Sequence, residues 1–285
     1  MFDILLYNPL LWTKSIYPGG EVCLRPTNAL EAITSQYPKE RLNLVARINN
    51  SVELIQVVLA VDILKRLTDA PIELELGYHP YGRQDKEEWY GFSLQAITAI
   101  LDNLGLARIT AFDCHSDVTA ACYTKTKFKN RTPEKFIKHA VAMYQPDTIV
   151  VPDAGALKRL KNMIDPCYRI IQFYKTRDPK DGKLSNMSFV TGPTKPVKAL
   201  VIDDICDGGA TFIGIADKLL EAFPDVQLGL AVSHGIFSKE FGELDKRYQL
   251  YYTTNTIDNS SPTKLRCPNI AIFSVLPEPI EDDIL

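Results

Sequence analysis

Short apolar runs rich in β-branched residues alternate with helical patterns along the whole chain. This alternation is typical of βαβ units, in which parallel strands form a sheet with helices packed on it. Apolar residues recur at helical spacing from Val52 to Leu67 and from Leu94 to Leu104. Further helices are predicted over Glu134–Met143, Leu157–Met163 and Phe212–Ala222. The predicted strands are Asp3–Tyr7, Leu42–Ile48, Ile72–Gly77, Ile109–Asp113, Thr148–Val151, Arg169–Phe173, Ala199–Asp203, Leu228–Val232 and Leu250–Thr253.

The α/β pattern runs through two similar halves, with a break at Tyr144, Gln145 and Pro146. At roughly 150 residues per domain, the 285 residues correspond to about two domains. We therefore predict two α/β domains, at residues 1–145 and 146–285. Ligands of open α/β sheets bind beyond the carboxyl ends of the strands, so the residues that follow each strand are the candidate site residues.

Composition excludes several classes of protein. The chain has 32 Lys and Arg against 35 Asp and Glu, so it lacks the basic excess of nucleic-acid-binding proteins. No apolar run reaches the roughly 18 residues of a membrane span, and the first residues lack the basic start of a signal peptide. The six scattered cysteines show no metal-ligand spacing. We expect a cytoplasmic protein with reduced thiols that binds neither nucleic acid nor membrane.

One segment, VKALVIDDICDGGATF at residues 197–212, combines an apolar strand, an acidic pair, a glycine turn and a helix start. Glycines let the backbone approach a ligand, and the free N–H groups of a helix start favour phosphate. Carboxylates beside such a loop can hold sugar hydroxyls or a magnesium shell. The alternative is a strand-to-helix turn with a solvated acidic cap. The residues concerned are Asp203, Asp204, Asp207, Gly208, Gly209, Ala210 and Thr211.

This loop resembles the phosphoribosyl diphosphate loop of type I phosphoribosyltransferases and of ribose-phosphate diphosphokinases (PRPP synthetases). Six further segments are similar to motifs of the diphosphokinases and follow the same order along the chain. They are YGRQDK at 81–86, DCHSD at 113–117, VPDAGALKRL at 151–160, YKTR at 174–177, and the pair SHGIFS and TNT at 233–238 and 254–256. The chain is identified as a divergent member of the ribose-phosphate diphosphokinase family.

The resemblance implies an α/β fold of two tandem type I phosphoribosyltransferase-like domains, each a mainly parallel sheet flanked by helices. It implies a Mg²⁺-dependent transfer of the β,γ-pyrophosphoryl group of ATP to the anomeric hydroxyl of a 5-phosphorylated ribose, with release of AMP. It also implies a homo-oligomer, a dimer or a hexamer, in which a neighbouring subunit lends an aromatic and acidic hairpin to the adenine.

The resemblance assigns roles to individual residues of this chain. Lys175 and Arg177 are the expected catalytic residues. The expected metal ligands are His115, Asp153, Asp203 and Asp204, and the expected ribose-phosphate site comprises Asp203, Asp204, Asp207 and Gly208 to Thr211 (Gly208, Gly209, Ala210, Thr211). ATP is expected to bind Arg83, Gln84, Asp85, His115, Tyr17 and Glu21.

Each assignment has a plainer alternative when the residues are considered alone. His115 is compatible with an ordinary surface or core histidine, and Asp153 with a turn or cap residue. Arg83 and Gln84 are compatible with a solvated polar loop. A surface hairpin would carry the same residues as the segment that contains Lys175 and Arg177.

The chain departs from the family at several positions. Gly208 stands where the family usually has Thr, which removes a hydroxyl beside the 5-substituent of the acceptor. Either backbone N–H groups suffice there, or the pocket accepts a larger 5-substituted ribose such as ADP-ribose, which would connect the product to NAD metabolism. Residues 87–93 are acidic and aromatic in place of a basic segment, so we expect weak allosteric control by ADP.

Two other kinds of protein remain possible from the sequence. A phosphoribosyltransferase would share the loop at Val201 to Thr211, although it would have no need of the other motifs. A non-catalytic subunit associated with a synthetase would share the fold, although such proteins typically lose the residues that the resemblance assigns to catalysis.

Overall fold

The computed structural model describes residues 1–87, 91–177, 184–190, 195–239, 241–257 and 267–279; at 175–177 and 184–186 it describes the backbone only. Within these residues the chain forms two compact units. Unit 1 holds residues 1–132, 256–257 and 274–279, and unit 2 holds residues 133–255 and 267–273.

Unit 1 is built on a five-stranded parallel sheet with the strand order β1-β4-β5-β6-β7. An antiparallel hairpin of β2 and β3 forms a separate small sheet. The elements are β1 Phe2–Leu5, β2 Trp12–Ile16, β3 Val22–Pro26, α1 Asn28–Gln36, β4 Leu42–Ala46, α2 Ser51–Leu67, β5 Ile72–Leu76, α3 Ser93–Asp102, β6 Arg108–Phe112, α4 Val118–Cys122 and β7 Lys127–Arg131.

The two faces of this sheet differ because side chains alternate along each strand. On one face Leu42, Leu44 and Ala46 of β4 join a buried apolar core that also includes the inner side of α2. On the other face, the Asn43 amide donates to Asp3 Oδ1 at 2.8 Å and to Glu75 Oε2 at 3.1 Å. Helices pack on the apolar face. On the other face, polar side chains of neighbouring strands form hydrogen bonds with one another.

Unit 2 is built on a seven-stranded sheet with the order β10-β9-β8-β11-β12-β13-β14, parallel except for β10. Its apolar core gathers the inner sides of β11, β12 and α7. The elements are α5 Glu134–Tyr144, β8 Thr148–Val151, α6 Ala154–Leu160, β9 Arg169–Arg177, β10 Leu184–Phe189, β11 Lys198–Cys206, α7 Ala210–Ala222, β12 Gln227–Gly235, α8 Gly242–Asp245, β13 Leu250–Thr254 and β14 Ile270–Phe273.

The units divide at residues 132 and 133, whereas the sequence places the break at 145 and 146. Helix α5 lies between these two positions and packs on β11, β12 and β13. Its buried residues include Phe136, Ile137 and Ala140, so the helix belongs to unit 2. The chain also returns to unit 1 after Phe273, where Leu276 is buried beside Leu5 and Val45.

The predicted α/β class, with mainly parallel sheets flanked by helices, is confirmed. The hairpin β2–β3, the helices α1, α4 and α8, and the strands β7, β10 and β14 are additional to the predicted elements. Strands β9, β11 and β12 extend beyond their predicted ends to Arg177, Cys206 and Gly235. Across the described residues, no helix combines the length and hydrophobicity needed to cross a membrane.

Candidate functional site

The acidic pair of unit 2 lies near the carboxyl end of β11 and is held by one arginine. Arg159 of α6 donates from Nη2 to Asp203 Oδ1 at 2.8 Å, and its Nη1 lies 3.1 Å from Asp204 Oδ1. Asp204 is buried, with 2% of its surface exposed. The planar guanidinium therefore places one positive charge between two carboxylates that would otherwise repel each other.

The pKa of Asp203 reflects this crowding. Burial and, next, the charge of Asp204 raise the pKa of its carboxyl to about 7, while Arg159 acts in the opposite direction. The acidic pair therefore carries negative charge that Arg159 only partly offsets, which suits a site that receives hydroxyl donors or a cation.

The loop that follows β11 turns directly into α7. Gly209 has a φ of +78°, and a Cβ added there would lie 3.3 Å from Leu244 Cδ1. Its backbone conformation is therefore one that favours glycine. Gly208 lies outside the left-handed region, and a Cβ added there would meet only the Lys239 side chain, at 3.6 Å. The fold requires glycine at 209 but not at 208.

A second turn, at residues 236–239 after β12, lies on this loop. Ile236 N and Phe237 N donate to Cys206 O at 2.9 and 3.0 Å, and Ser238 N donates to Asp207 O at 3.1 Å. The Ser238 hydroxyl donates to Asp207 Oδ1 at 2.5 Å. These bonds fix the Asp207 carboxylate and the backbone at the start of the glycine turn.

In unit 1, the segments after β5 and β6 adjoin each other. A Cβ added at Gly82 would lie 3.7 Å from the Cβ of His115, so the residues just before Arg83 and Gln84 border the predicted histidine. Tyr81 and Asp113 adopt left-handed φ values of 59° and 42°. Non-glycine residues in this region are strained, and such strain is concentrated at functional sites.

The predicted adenine-binding residues of the hairpin occupy its tip. Tyr17 N donates to Glu21 O at 2.9 Å, and Gly20, with a φ of +93°, donates from its N to Tyr17 O at 2.8 Å. The tip carries Tyr17, whose side chain is 48% exposed, next to the exposed Glu21. A role for these residues at a neighbouring subunit stays a prediction.

The other predicted ligands are distributed over both units. His115 belongs to unit 1, whereas Asp153 belongs to unit 2 with the acidic pair. Asp153 caps α6, because its Oδ1 accepts from Ala156 N at 2.9 Å. Lys175 and Arg177 lie on β9, but their side chains are outside the described part. Within the described residues, no three His, Cys, Asp or Glu side chains form a metal-binding group.

Sequence reasoning did not single out Arg159, Ser238 or Lys239 as site residues. Arg159 and Ser238 lie within the quoted segments VPDAGALKRL and SHGIFS, so the motifs contained a signal for both. Lys239 follows the segment SHGIFS and lies outside both segments, so no motif indicated a role for it. Only the fold shows that it lies beside Gly208, because 31 positions along the chain separate the two.

Comparison with known proteins gives consistent relatives, although no family model matches the chain. A protein of Mycoplasma pneumoniae is 28% identical over 243 residues, which cover 81% of this chain and 72% of that protein. One of Mycoplasmopsis pulmonis is 27% identical over 284 residues, covering 93% and 82%. One of Maricaulis maris is 25% identical over 233 residues, covering 79% and 73%. Each is named ribose-phosphate pyrophosphokinase.

A solved structure gives the same fold. The phosphoribosylpyrophosphate synthetase of Mycobacterium smegmatis matches with a TM-score of 0.74 at 20% identity, over 93% of this chain and 86% of that one. The matches to the three sequence relatives each cover more than three quarters of the chain. In sequence the chain is therefore similar to ribose-phosphate pyrophosphokinases over most of its length, and it has the fold of a phosphoribosylpyrophosphate synthetase.

Proposed function

We propose that the protein transfers the β,γ-pyrophosphoryl group of ATP to the anomeric hydroxyl of a 5-phosphorylated ribose. With ribose 5-phosphate, the products are PRPP and AMP. The observation that carries the proposal is the pair Asp203 and Asp204, bound by Arg159 directly before the glycine loop that opens α7. The names of the sequence relatives support the same reaction.

The acceptor would bind where the loop meets α7. A phosphate on C5 of the ribose suits the first N–H groups of this 13-residue helix, which have no partner within the helix. The ribose hydroxyls would donate to Asp203, Asp204 and Asp207. The bond from the Ser238 hydroxyl to Asp207 Oδ1 keeps the Asp207 side chain in one orientation.

Magnesium fits the donor set of unit 2. Carboxylate oxygens are the ligands this ion prefers, and it usually keeps several waters and takes one or two carboxylates together with substrate phosphates. Asp203 and Asp204 would hold it at the acceptor, and His115 and Asp153 are the proposed ligands on the ATP side. When bound, the ion neutralises charge that develops on the phosphate oxygens.

The transfer forms a bond between the anomeric oxygen and the β-phosphorus and breaks the bond from that phosphorus to the oxygen that leaves with AMP. The protein has to position the two substrates in line and neutralise charge. Lys175 and Arg177 are two positions apart on β9. They are the proposed cationic residues for the transferred group, and Arg83, Gln84 and Asp85 the proposed residues for ATP.

The experiment is an assay of AMP formation from ATP and Mg²⁺, with ribose 5-phosphate as acceptor and the product identified by mass. We expect wild type to form AMP and PRPP in equal amounts, and we expect Asp203→Asn to form neither. An acceptor-dependent release of ADP would point to simple phosphoryl transfer and would contradict it. Production of a nucleotide from PRPP and a base would instead indicate a phosphoribosyltransferase.

A second candidate is the same chemistry on a larger 5-substituted ribose such as ADP-ribose. Gly208 favours it, because the backbone does not require glycine at this position and the side chain that the family usually carries there is missing. The product would carry a new pyrophosphate on a nucleotide sugar. A higher kcat/KM for ADP-ribose than for ribose 5-phosphate would support this candidate, and the reverse ratio would eliminate it. Absence of AMP with both acceptors would favour a non-catalytic subunit.

We also propose a cytoplasmic homo-oligomer, a dimer or hexamer, with weak control by ADP. The exposed Tyr17 and Glu21 of the hairpin tip support contact with a neighbouring subunit. Sedimentation of wild-type protein and of Tyr17→Ala, alongside their KM for ATP, tests this. A monomer of full activity would contradict it.

A further inference from the structure

The side chain of Lys239 lies beside the glycine loop. Gly208 has no side chain of its own, and the methylenes of Lys239 occupy the adjoining space. A Cβ added at Gly208 would lie 3.6 Å from Cδ and from Cε of Lys239 and 3.9 Å from its Cγ. The lysine stem therefore runs along the face of the loop, with its ammonium one bond beyond Cε.

The turn that carries Lys239 is held in place at both ends. Its backbone is bonded to Cys206 and Asp207. Phe237 has a left-handed φ of 49°, is 2% exposed, and packs its ring 4.5 Å from that of Phe241 and 6.3 Å from that of Tyr251. Packing of the buried Phe237 ring stabilises this unfavourable backbone conformation. It thereby fixes the backbone positions of Ser238 and Lys239.

The ammonium of Lys239 is available to a ligand. Lys239 is exposed and forms no ion pair with any residue that the structure describes. By contrast, Lys246, also in unit 2, is paired with Glu243 at 2.5 Å. A phosphate monoester at the start of α7 carries close to two negative charges, and backbone N–H groups alone supply only partial positive charge.

We propose that Lys239 binds the phosphate on C5 of the acceptor ribose and thereby determines acceptor specificity. This inference rests on the proposed function, because it uses the same glycine loop as the acceptor site. The ammonium would supply the side-chain contact that Gly208 cannot supply. The requirement is for a phosphate on C5, and it holds whether that phosphate is terminal or continues into a diphosphate.

The decisive variant is Lys239→Gln, which keeps methylenes over Gly208 and removes the charge. We expect the KM for ribose 5-phosphate to rise about 10- to 100-fold, as for loss of a hydrogen bond to a charged group. The KM for ATP should stay within about twofold. Lys239→Arg should restore most of the affinity, and the matched control Lys246→Gln should behave as wild type. Ribose without its phosphate should show no difference between wild type and Lys239→Gln.

Measurements of direct binding test the role of Lys239 separately from the proposed function. Calorimetric titration with ribose 5-phosphate and with ADP-ribose gives a Kd for each variant without turnover. If wild-type protein binds either acceptor but forms no AMP, the Kd comparison still decides the role of Lys239, while the proposed function fails. Equal Kd and KM values for wild type and Lys239→Gln would overturn the inference and leave the proposed function intact. If wild type binds neither acceptor, both are overturned.

Discussion

Arg159 and Asp203 are joined by an ion pair of 2.8 Å between α6 and β11, and the same guanidinium reaches Asp204. These side chains are 15% exposed for Asp203 and 3% for Asp204. Two acids can lie together at this depth because one arginine lies against both carboxylates and offsets part of their charge.

Replacing Arg159 by Met should leave two carboxylates close together without their cation. We expect a loss of about 3 kcal/mol in the free energy of unfolding, typical of removing one partner of a buried pair, and at least a 100-fold loss of kcat/KM. Arg159→Lys should retain part of both. Urea unfolding measures the change in the free energy of unfolding, and the AMP assay measures the change in kcat/KM. The control Arg66→Met removes an exposed pair with Asp62 and should change stability by less than about 0.5 kcal/mol.

The two glycines of the loop should respond differently to alanine. Gly209→Ala places a Cβ on a left-handed residue and against Leu244, which should cost about 1–2 kcal/mol and raise the KM for the acceptor. Gly208→Ala should leave thermal stability unchanged or slightly raised, because its contacts with Lys239 are of ordinary length. Equal destabilisation of the two variants would contradict the conclusion that the fold requires glycine at 209 but not at 208.

His79 should make stability depend on pH. It is 1% exposed, its Nε2 lies 2.8 Å from the Tyr123 hydroxyl, and burial lowers its pKa to about 4. Between the unfolded pKa of about 6.5 and the folded pKa, the unfolded chain binds the proton more readily. The free energy of unfolding should therefore fall by about 3 kcal/mol as pH is lowered from 6.5 to 4, and this term is constant above 6.5.

The variant His79→Gln isolates that contribution. We expect it to be less stable than wild type at pH 7 and to lose less stability on acidification, so that the two curves converge towards pH 4. Urea titrations at half-unit pH intervals measure both curves. Parallel curves over this range would mean that His79 is not the group responsible.

The class of fold could be predicted from the sequence because the central strands of the sheets are buried, or nearly buried, on both faces. Strand β8 is predicted to the residue, since Thr148–Val151 is a wholly buried run of β-branched residues between Asp147 and Pro152. The hairpin strand Trp12–Ile16 was missed because four of its five residues are exposed. Strand β7 was missed for a similar reason, since none of its residues is fully buried.

The end of β11 illustrates what a local pattern cannot supply. The acidic pair suggested that the strand stops at Asp203, yet it continues to Cys206. The strand tolerates these charges because Arg159 lies against them, 44 positions earlier in the chain. The contact of Lys239 with Gly208 likewise depends on how β12 returns beside β11. Such long-range relationships follow from the sheet order and not from any motif.

The most direct test of the account is the acceptor-dependent release of AMP from ATP and Mg²⁺, measured on wild type and on the charge-neutral variant Asp204→Asn. We expect wild type to convert ATP to AMP together with an equal amount of pyrophosphorylated acceptor, and the variant to lose at least 100-fold in kcat/KM while remaining folded by circular dichroism. Unchanged turnover in Asp204→Asn, or no AMP from wild type with either ribose 5-phosphate or ADP-ribose, would contradict it.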